Sequence, residues 1–397
     1  MIILLKFPEY ALECINIITS NGFDAYFVGG CVRDSLLNIQ CDDIDITTNA
    51  QPDDIISIFP KTIPTGLKHG TVTVIHKDKK LEITTYRTEE EYTDYRHPNA
   101  VNFVSDLSAD LSRRDFTINA LACSSDYQLV DNFNGISDIE NRIIKAVGNP
   151  EKRFKEDALR IIRAFRFSAV LGFEIEENTK FYAKKLSNLV CKISGERILK
   201  ELIKASDGKK PSALCELIST GVLTEFGIHS QKFTNEIFDR ISAINLKHSS
   251  KFALLILLCN HDIIRLKTTL KVDNDTIKII KSLDELVMLQ APENKAQIQK
   301  LLYKYGTEAI ILYLHYLNVI KPVAYNHLLS MQNEIIDNCE PYLISQLAID
   351  GNDLLSLGYK GSIIKTILEK ALFSVIDGNV SNKKTDLLEY IKKLNHQ

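Results

Sequence analysis

The sequence predicts an α+β protein, with strands concentrated in the first third of the chain and helices over the rest. Three observations support this class. Short apolar runs rich in β-branched residues recur between residues 25 and 90. Farther along the chain the apolar residues recur at the 3.6-residue period of helices. The length of 397 residues exceeds one ordinary core, so we expect two or more domains.

The composition is that of an ordinary globular protein, with 45% apolar and 25% charged residues. The longest uninterrupted apolar run, residues 252–259, is too short to span a bilayer, and the first residues lack the pattern of a signal peptide. We therefore expect a cytoplasmic protein without a membrane partner. The eight cysteines are scattered and lack metal-ligand spacing, which predicts neither structural zinc nor disulfides.

The charge distribution is uneven along the chain. The formal net charge is −3, yet residues 141–210 contain 17 Lys and Arg against 9 Asp and Glu. That segment carries +8, so the remaining residues sum to −11. Such a concentration predicts a single electropositive groove and a nucleic-acid partner.

The most informative stretch covers residues 26–48. An apolar strand runs into Gly29 and Gly30, and a short helical turn then leads to a second strand that carries Asp43 and Asp45. Side chains alternate along a strand, so we expect both carboxylates on one face. Two neighbouring carboxylates repel, and a divalent cation relieves that repulsion. Hard oxygen ligands suit magnesium.

The same stretch also suits a phosphate. Gly29 and Gly30 lack Cβ atoms, so the backbone can approach an anion closely, and Arg33 in the following turn adds a charge-assisted contact. Alone, a D-x-D pair is typical of a solvated strand and a Gly-Gly pair of a turn. Together, a phosphate site and a metal site indicate phosphoryl or nucleotidyl transfer from a nucleoside triphosphate.

Two motifs carry a family resemblance. G-G-x-V-R-D, followed nine residues later by D-x-D-I-x-T, resembles the signature of the class II nucleotidyltransferases, which include CCA-adding tRNA nucleotidyltransferases and bacterial poly(A) polymerases. Asn38 replaces the family's usual glycine, and we expect it to keep the left-handed turn. Residues 113–120 match the second motif, R-R-D-F-T-x-N-A. The resemblance implies that Arg114 contacts the triphosphate and that Asp115 and Asn119 recognise the ribose.

Two further strands are predicted over residues 70–76 and 80–87. Glu82 on the second resembles the family's third, strand-borne catalytic carboxylate; the alternative is a solvent-facing glutamate. Residues 88–98 are polar, dotted with aromatics and end in proline, which predicts a mobile loop. Family members that add the terminal adenosine keep such a loop, so the resemblance favours complete CCA addition or A addition. Residues 127–148 predict a strand, a glycine turn and a second strand, and resemble the family's hinge between head and neck.

Residues 150–172 predict one helix, framed by a proline at its start and a glycine after its end. Asp157, Arg160, Arg163 and Arg166 form a stripe along it. A solvated face with an internal Asp–Arg pair would explain this pattern. E-D-x-x-R also resembles the family's base-reading motif, which implies that Asp157 and Arg160 bind the Watson–Crick edge of C or A. Arg163 and Arg166 would then assist nucleotide binding.

The remaining sequence predicts helices, among them residues 193–205, 252–259 and 298–317. The dipeptide His261-Asp262 lacks the further ligands of a metal site. From residue 345 the chain resembles the tail of bacterial CCA-adding enzymes. There Lys360, at the start of a helix, would contact the phosphate backbone of RNA.

The resemblance implies four regions: a nucleotidyltransferase head with a small mixed β-sheet (1–140), followed by an all-α neck (141–215), body (216–335) and tail (336–397). It implies template-independent addition of CCA to the 3′ end of tRNA from CTP and ATP, with Mg²⁺ ions at Asp43 and Asp45 and release of pyrophosphate. Body and tail would hold the acceptor arm and elbow of tRNA.

Three alternatives stay open: an A-adding partner of a CC-adding enzyme, a poly(A) polymerase, and an inactive RNA-binding relative. The intact D-x-D pair argues against the last of these. The sequence does not determine the oligomeric state.

Overall fold

The computed structural model describes residues 5–41, 43–89 and 101–394. The chain forms two compact units, one of residues 1–231 with 264–271 and the other of residues 232–263 with 272–397. The first unit contains a mixed sheet with helices, and the second is helical apart from one short strand, so the predicted α+β class is confirmed. In the part of the chain described, no helix is long and apolar enough to cross a membrane.

The main sheet of the first unit has seven strands in the order β3-β4-β5-β2-β1-β8-β9, and a separate pair is formed by β6 and β7. The strands are β1 (Ala25–Val28), β2 (Asp45–Thr48), β3 (Thr62–Gly66), β4 (Thr71–His76), β5 (Lys79–Thr85), β6 (Arg87–Glu89), β7 (Val101–Phe103), β8 (Leu121–Cys123) and β9 (Leu129–Asp131). β2 and β5 run parallel, whereas the other neighbours in this sheet are antiparallel. The predicted mixed sheet is therefore present.

The second strand is shorter than predicted. It begins at Asp45, so Asp43 lies in the segment before it. Its antiparallel partner β1 ends at Val28, before the turn at Gly29, so β1 does not reach residue 43. The predicted alternation still holds, because Ile44 is buried while Asp43 and Asp45 are exposed.

Ten helices accompany the sheet in the described part of the first unit before residue 231. They are α1 (Glu9–Ser20), α2 (Gly30–Leu36), α3 (Pro52–Ile58), α4 (Leu107–Ser112), α5 (Gly135–Glu140), α6 (Pro150–Glu156), α7 (Leu159–Leu171), α8 (Glu177–Lys185), α9 (Gly195–Ser206) and α10 (Ala213–Ser219). Two short parallel strands, β10 (Ile143–Ile144) and β11 (Glu174–Ile175), interrupt the predicted helical neck. Helix α5 occupies part of residues 127–148, where only strands and a turn were predicted.

The following elements are β12 (Ile228–Gln231), α11 (Asn235–Asp239), α12 (His248–Leu257), β13 (Cys259–His261), α13 (Ile263–Thr268), α14 (Asn274–Leu286), α15 (Lys295–Tyr305), α16 (Thr307–Ile320), α17 (Pro322–Asp337), α18 (Gly351–Ser356), α19 (Ile363–Ile376) and α20 (Lys384–Leu394). The helix predicted over residues 298–317 is two helices, because Gly306, with φ 83°, separates α15 from α16. Helix α19 has an apolar face, since Ile367, Leu368 and Leu372 are buried in one cluster with α18 and α20.

The helix predicted over residues 150–172 is also two helices. Asp157 has extended backbone angles, φ −134° and ψ 106°, and separates α6 from α7. Its Oδ1 accepts a hydrogen bond from the backbone N–H of Leu159 at 3.0 Å, as at the start of a helix. A residue in this role cannot also continue the preceding helix, which is why the break falls here.

Candidate active site

A cleft of about 750 Å³ in the first unit brings together most of the predicted site residues. Its lining residues are Gly29, Gly30, Arg33, Asp34, Cys41, Asp43, Asp45, His69, Arg87, Arg113, Arg114, Asp115, Asn119, Asp157, Arg160, Arg163, Arg166, Phe167, Arg197 and Lys204. The volume suits a nucleotide-sized ligand. Nine basic and five acidic side chains line it, so the cleft is electropositive although the chain is not.

The turn after β1 leaves room for the cleft. Gly29 has φ 77° and precedes α2, and Asn38 closes that helix with φ 53°, as predicted for its left-handed turn. A Cβ atom on Gly29 would lie 3.0 Å from Nη1 of Arg114, and one on Gly30 would lie 3.6 Å from Nη2 of Arg33. A side chain on Gly29 would crowd the Arg114 guanidinium, whereas one on Gly30 would meet Arg33 at an ordinary contact distance.

Arg114 is ready to donate to an anion. Its Nη2 donates to Asp110 at 3.2 Å. Its Nε is buried and has no hydrogen-bond partner among the described residues. An unpaired buried N–H group costs about 1 to 3 kcal/mol, and an anion in the cleft would remove that penalty.

Two carboxylates, Asp43 and Asp45, line the cleft, and a third, Glu82, lies next to Asp45 in the sheet. Asp45 on β2 stands beside Glu82 on β5 in parallel register, and Asp43 precedes it by two residues. Although Asp45 is exposed, its carboxyl group is partly desolvated by the walls of the cleft, and this desolvation raises its pKa to about 6. Arg114 opposes that rise, whereas Glu82 and Asp43 add to it. Glu82 is exposed and does not line the cleft itself.

These donors fit a magnesium ion that is bound together with its substrate. Within the described ranges, no group of three or more His, Cys, Asp or Glu side chains is arranged to hold a metal alone. Magnesium usually takes one or two carboxylates and completes its octahedron with water and substrate phosphates. The oxygens of Asp43 and Asp45, beside an arginine-rich anion site, match that pattern.

Asp115 and Asn119, predicted to recognise ribose, form one hydrogen-bonded unit. Asn119 Nδ2 donates to Asp115 Oδ1 at 3.0 Å, and Arg33 Nη1 donates to Asn119 Oδ1. Burial alone would raise the pKa of Asp115, but Arg163, Asn119 and Arg160 together hold it well below its usual range. The Asp115 carboxyl is therefore ionised at neutral pH.

The arginines of α7 are anchored by buried partners. Arg163 donates to Asp115, with its Nε at 2.7 Å from Oδ2, and Arg166 Nε donates to Glu201 at 2.7 Å. The ring of Phe167 lies among three guanidinium groups, whose Cζ atoms are 5.1 Å (Arg33), 5.2 Å (Arg163) and 3.4 Å (Arg166) from its centroid. Burial and the neighbouring Arg163 lower the pKa of Arg166 to about 10, so it remains charged at neutral pH.

Asp157 and Arg160 both line the cleft but do not form the internal ion pair that was the alternative explanation of their spacing. Asp157 Oδ2 accepts from Arg197 Nη2 at 3.2 Å. Arg160 donates to the Glu156 carboxylate at 2.9 Å and to the carbonyl oxygen of Arg113 at 2.8 Å. Each side chain is thus held separately, with both at the same end of the cleft.

Sequence reasoning missed several residues of this region. Arg197, Glu201 and Lys204 recur every three to four residues on α9, which was predicted only as a capped helix. Their spacing was the available signal. Phe167 was missed because it continues an apolar stripe. Asp110 was missed although its spacing of three and four residues from Arg113 and Arg114 was a signal for pairing.

Two predicted features lie apart from the cleft. Lys360 is exposed just before α19, in the second unit. His261 hydrogen-bonds Asp284 at 3.0 Å through Nε2. Of the predicted loop at residues 88–98, residues 90–98 lie outside the described residues.

Comparison with known proteins places the chain in a family. Residues 25–145 match the model described as the poly A polymerase head domain, and residues 172–227 match the one described as the probable RNA and SrmB-binding site of polymerase A. Residues 245–391 match a model described as tRNA nucleotidyltransferase domain 2.

Curated relatives match over nearly their whole length. The CCA-adding enzyme of Staphylococcus saprophyticus is 35% identical, with 97% of this chain and 98% of that protein covered. That of Ligilactobacillus salivarius is 38% identical, with 97% and 96% covered. The crystal structure of the Bacillus stearothermophilus CCA-adding enzyme in complex with CTP is 31% identical, with a TM-score of 0.81 over 98% of this chain and 97% of that one. The chain therefore belongs to the family of bacterial CCA-adding enzymes, which are tRNA nucleotidyltransferases.

Proposed function

We propose that this chain adds cytidine, cytidine and adenosine in turn to the 3′ end of tRNA, from CTP and ATP and without a nucleic-acid template. The observation that carries the proposal is the cleft, in which the carboxylates of Asp43 and Asp45 lie within one site with an arginine cluster. Full-length similarity to CCA-adding enzymes, one of them in complex with CTP, supports the choice of substrates. We place the protein in the cytoplasm, where tRNA is processed.

In this proposal the residues around Gly29 hold the triphosphate. The backbone of Gly29 and Gly30 approaches it, while Arg33 and Arg114 donate charge-assisted hydrogen bonds to its oxygens. Asp43 and Asp45 would hold magnesium, and Glu82 adds negative charge beside them. When bound, magnesium supplies charge neutralisation on the triphosphate and lowers the pKa of the attacking 3′-OH. The 3′-oxygen forms the new bond to the α-phosphorus, and the bond to pyrophosphate breaks.

Asp115 and Asn119, together with Asp157 and Arg160, would select the nucleotide. Asp115 and Asn119 present a fixed acceptor and amide pair to the ribose hydroxyls, which favours ribonucleotides. Asp157 offers only acceptors and Arg160 only donors, so the pair can match the Watson–Crick edge of C or A after a modest reorientation. Arg163 and Arg166 keep this end of the cleft positively charged. The backbone of Asp157 lies between two helices, α6 and α7.

We divide the chain into a head (1–140), a neck (141–215), a body (216–335) and a tail (336–397). The body and the tail would hold tRNA. Lys360 is exposed at the start of α19 and suits a contact with a phosphate of the tRNA elbow. Such contacts recognise shape and backbone rather than base sequence, and their strength should fall with salt.

The deciding experiment supplies purified protein with magnesium and a tRNA that ends at the discriminator base. CTP alone, ATP alone or both are added, and the products are resolved at single-nucleotide length. We expect two cytidines with CTP alone and one further adenosine with both nucleotides. The Asp45→Ala variant, run in parallel, should add nothing and so excludes a contaminating activity.

Other products would select the alternatives. One adenosine on a tRNA already ending in CC, without extension of the shorter tRNA, would indicate an A-adding enzyme. A long ladder of adenosines on unrelated RNAs would indicate a poly(A) polymerase. Binding of tRNA without any incorporation would indicate an inactive relative.

A further inference from the structure

Asp110 is a fully buried carboxylate behind the wall of an arginine-rich cleft. It lies on α4, and its side chain has no exposed surface. A buried negative charge next to a site for polyanions is unfavourable unless it performs a structural task, since it repels the ligand and loses its own hydration. The contacts of Asp110 indicate that task.

Both oxygens of Asp110 are fully used. Oδ1 accepts from Nε and Nη2 of Arg113, at 2.9 Å and 2.8 Å, and from the backbone N–H of Arg87 at 3.4 Å. Oδ2 accepts from Nη2 of Arg114 at 3.2 Å and from the hydroxyl of Thr47 at 3.4 Å. The carboxylate therefore joins two arginines of the cleft to β2, the strand of the catalytic carboxylate, and to β6.

The consequence for Arg114 is a fixed orientation. Asp110 accepts a hydrogen bond from one N–H group of Arg114, and Nη1 of Arg114 lies close to the backbone of Gly29, which has no side chain. Nε stays buried without a partner among the described residues. A guanidinium is planar, so fixing one edge fixes the direction of the others. The donors that Asp110 does not use are thus held toward the phosphate site.

The charge of Asp110 is also balanced. Burial alone would raise its pKa, but Arg113 and Arg114 lower it below its usual value, so the group is ionised at neutral pH. One carboxylate faces two guanidinium groups, and a positive charge remains for the ligand. Asp110 thus restrains the arginines without neutralising the cleft.

We propose that Asp110 is a positioning residue for nucleotide binding, which acts by holding the Arg114 guanidinium so that its remaining N–H groups meet the triphosphate. Asp110 itself does not touch the substrate. The inference rests on the proposed function, because it requires a nucleoside triphosphate in this cleft.

The test compares the affinities for CTP and CMP, measured by titration calorimetry, in the Asp110→Asn variant. Asn keeps the size of the side chain but loses the charge. We expect CTP binding to weaken about tenfold, the loss of one charge-assisted contact, while CMP binding changes less than about twofold. Asp106→Asn is the matched control, because Asp106 is an exposed carboxylate that caps the same helix. An equal loss for CTP and CMP, or no loss, would overturn the inference.

Arg114→Gln gives a result that does not depend on the folding of Asp110→Asn, and the double variant tests whether the two residues act together. We expect Arg114→Gln to reduce the preference for CTP over CMP, and the double variant Asp110→Asn/Arg114→Gln to reduce it no further. A further tenfold loss in the double variant would mean that Asp110 does not act through Arg114. An unchanged preference in Arg114→Gln would remove the arginine from the triphosphate site and overturn the inference, whereas CCA addition would still be decided by the extension assay.

Discussion

Asp115 Oδ2 lies 2.7 Å from Nε and 2.6 Å from Nη2 of Arg163, while Asp115 Oδ1 accepts from Asn119. One carboxylate thus connects a 3-10 turn beside the sheet to helix α7. Asp115 and Asn119, which we propose recognise ribose, and the arginines of α7 are therefore parts of one hydrogen-bonded network, and they should not vary independently.

The first prediction concerns sugar selectivity. Asp115→Asn should reduce the preference for CTP over dCTP by about tenfold, because it removes an anionic acceptor and releases Arg163. The free energy of unfolding should fall by about 1 to 3 kcal/mol. Steady-state incorporation with each nucleotide measures the first effect, and urea unfolding the second. Equal losses for CTP and dCTP would show that Asp115 does not contact the ribose.

The second prediction separates backbone strain from crowding. Gly22 and Gly29 both have positive φ, 87° and 77°, so alanine at either position would strain the backbone. Only at Gly29 would the new Cβ meet Arg114 Nη1, whereas Gly22 has no neighbour within 4 Å. We expect Gly29→Ala to lower kcat/KM about tenfold or more. Gly22→Ala should leave it unchanged, and a similar loss in both variants would contradict the role of this contact.

The third prediction concerns pH and metal. The pKa of Asp45 is raised to about 6, so incorporation should decline as pH falls through 6, where protons displace the metal. More Mg²⁺ should shift this decline to lower pH, and EDTA should abolish incorporation at every pH. An inflection that does not move with Mg²⁺ would assign the titration to another group.

The stability of the metal-free protein should also depend on the protonation of Asp45, but in the opposite direction from activity: stability should increase as pH falls. Because the folded pKa of Asp45 exceeds its unfolded value near 4, the folded state binds the proton more tightly. The contribution of Asp45 to the free energy of unfolding should therefore rise as pH falls from about 6 to about 4. Asp45→Asn should lack this component, which thermal unfolding in EDTA at several pH values would measure.

The fourth prediction concerns Phe167. Phe167→Leu keeps an apolar side chain but removes the ring face that attracts three guanidinium groups, each contact being worth about 0.5 to 2 kcal/mol. We expect the KM for CTP and ATP to rise about three- to tenfold, with a smaller change in kcat. Phe181→Leu is the control, because Phe181 also contacts a cation, Lys185, but is exposed on α8 outside the cleft. Equal kinetics in both variants would contradict this role.

The local motifs were readable from sequence because each depends on near neighbours. Side-chain size explains the glycine turn and the left-handed conformation of Asn38. The periodicity of the sequence explains the direction of the Asp45 side chain and the position of the tail helix. The resemblance assigned distant residues, such as Arg33 and Asn119, to one site, which no local rule supplies. The prediction of the cleft required both the local rules and the resemblance.

What the sequence did not predict depends on tertiary partners. Asp157 looked like an interior helix residue, because its capping of Leu159 and its contact with Arg197 are invisible in its own segment. Asp110 and Glu201 looked like surface acids, since their partners lie on other turns or other helices. A buried charge of this kind is recognised by the opposite charge that neutralises it, and that partner is seen only in the three-dimensional structure.

The charge lining the cleft bears on how RNA reaches it. With nine basic and five acidic side chains there, in a chain of net charge −3, all other residues together carry −7. In such a distribution field lines converge on the basic cleft, which favours the approach of an RNA end to it. We therefore expect weak affinity for bulk RNA, rapid sampling of candidate ends, and little trapping of finished product.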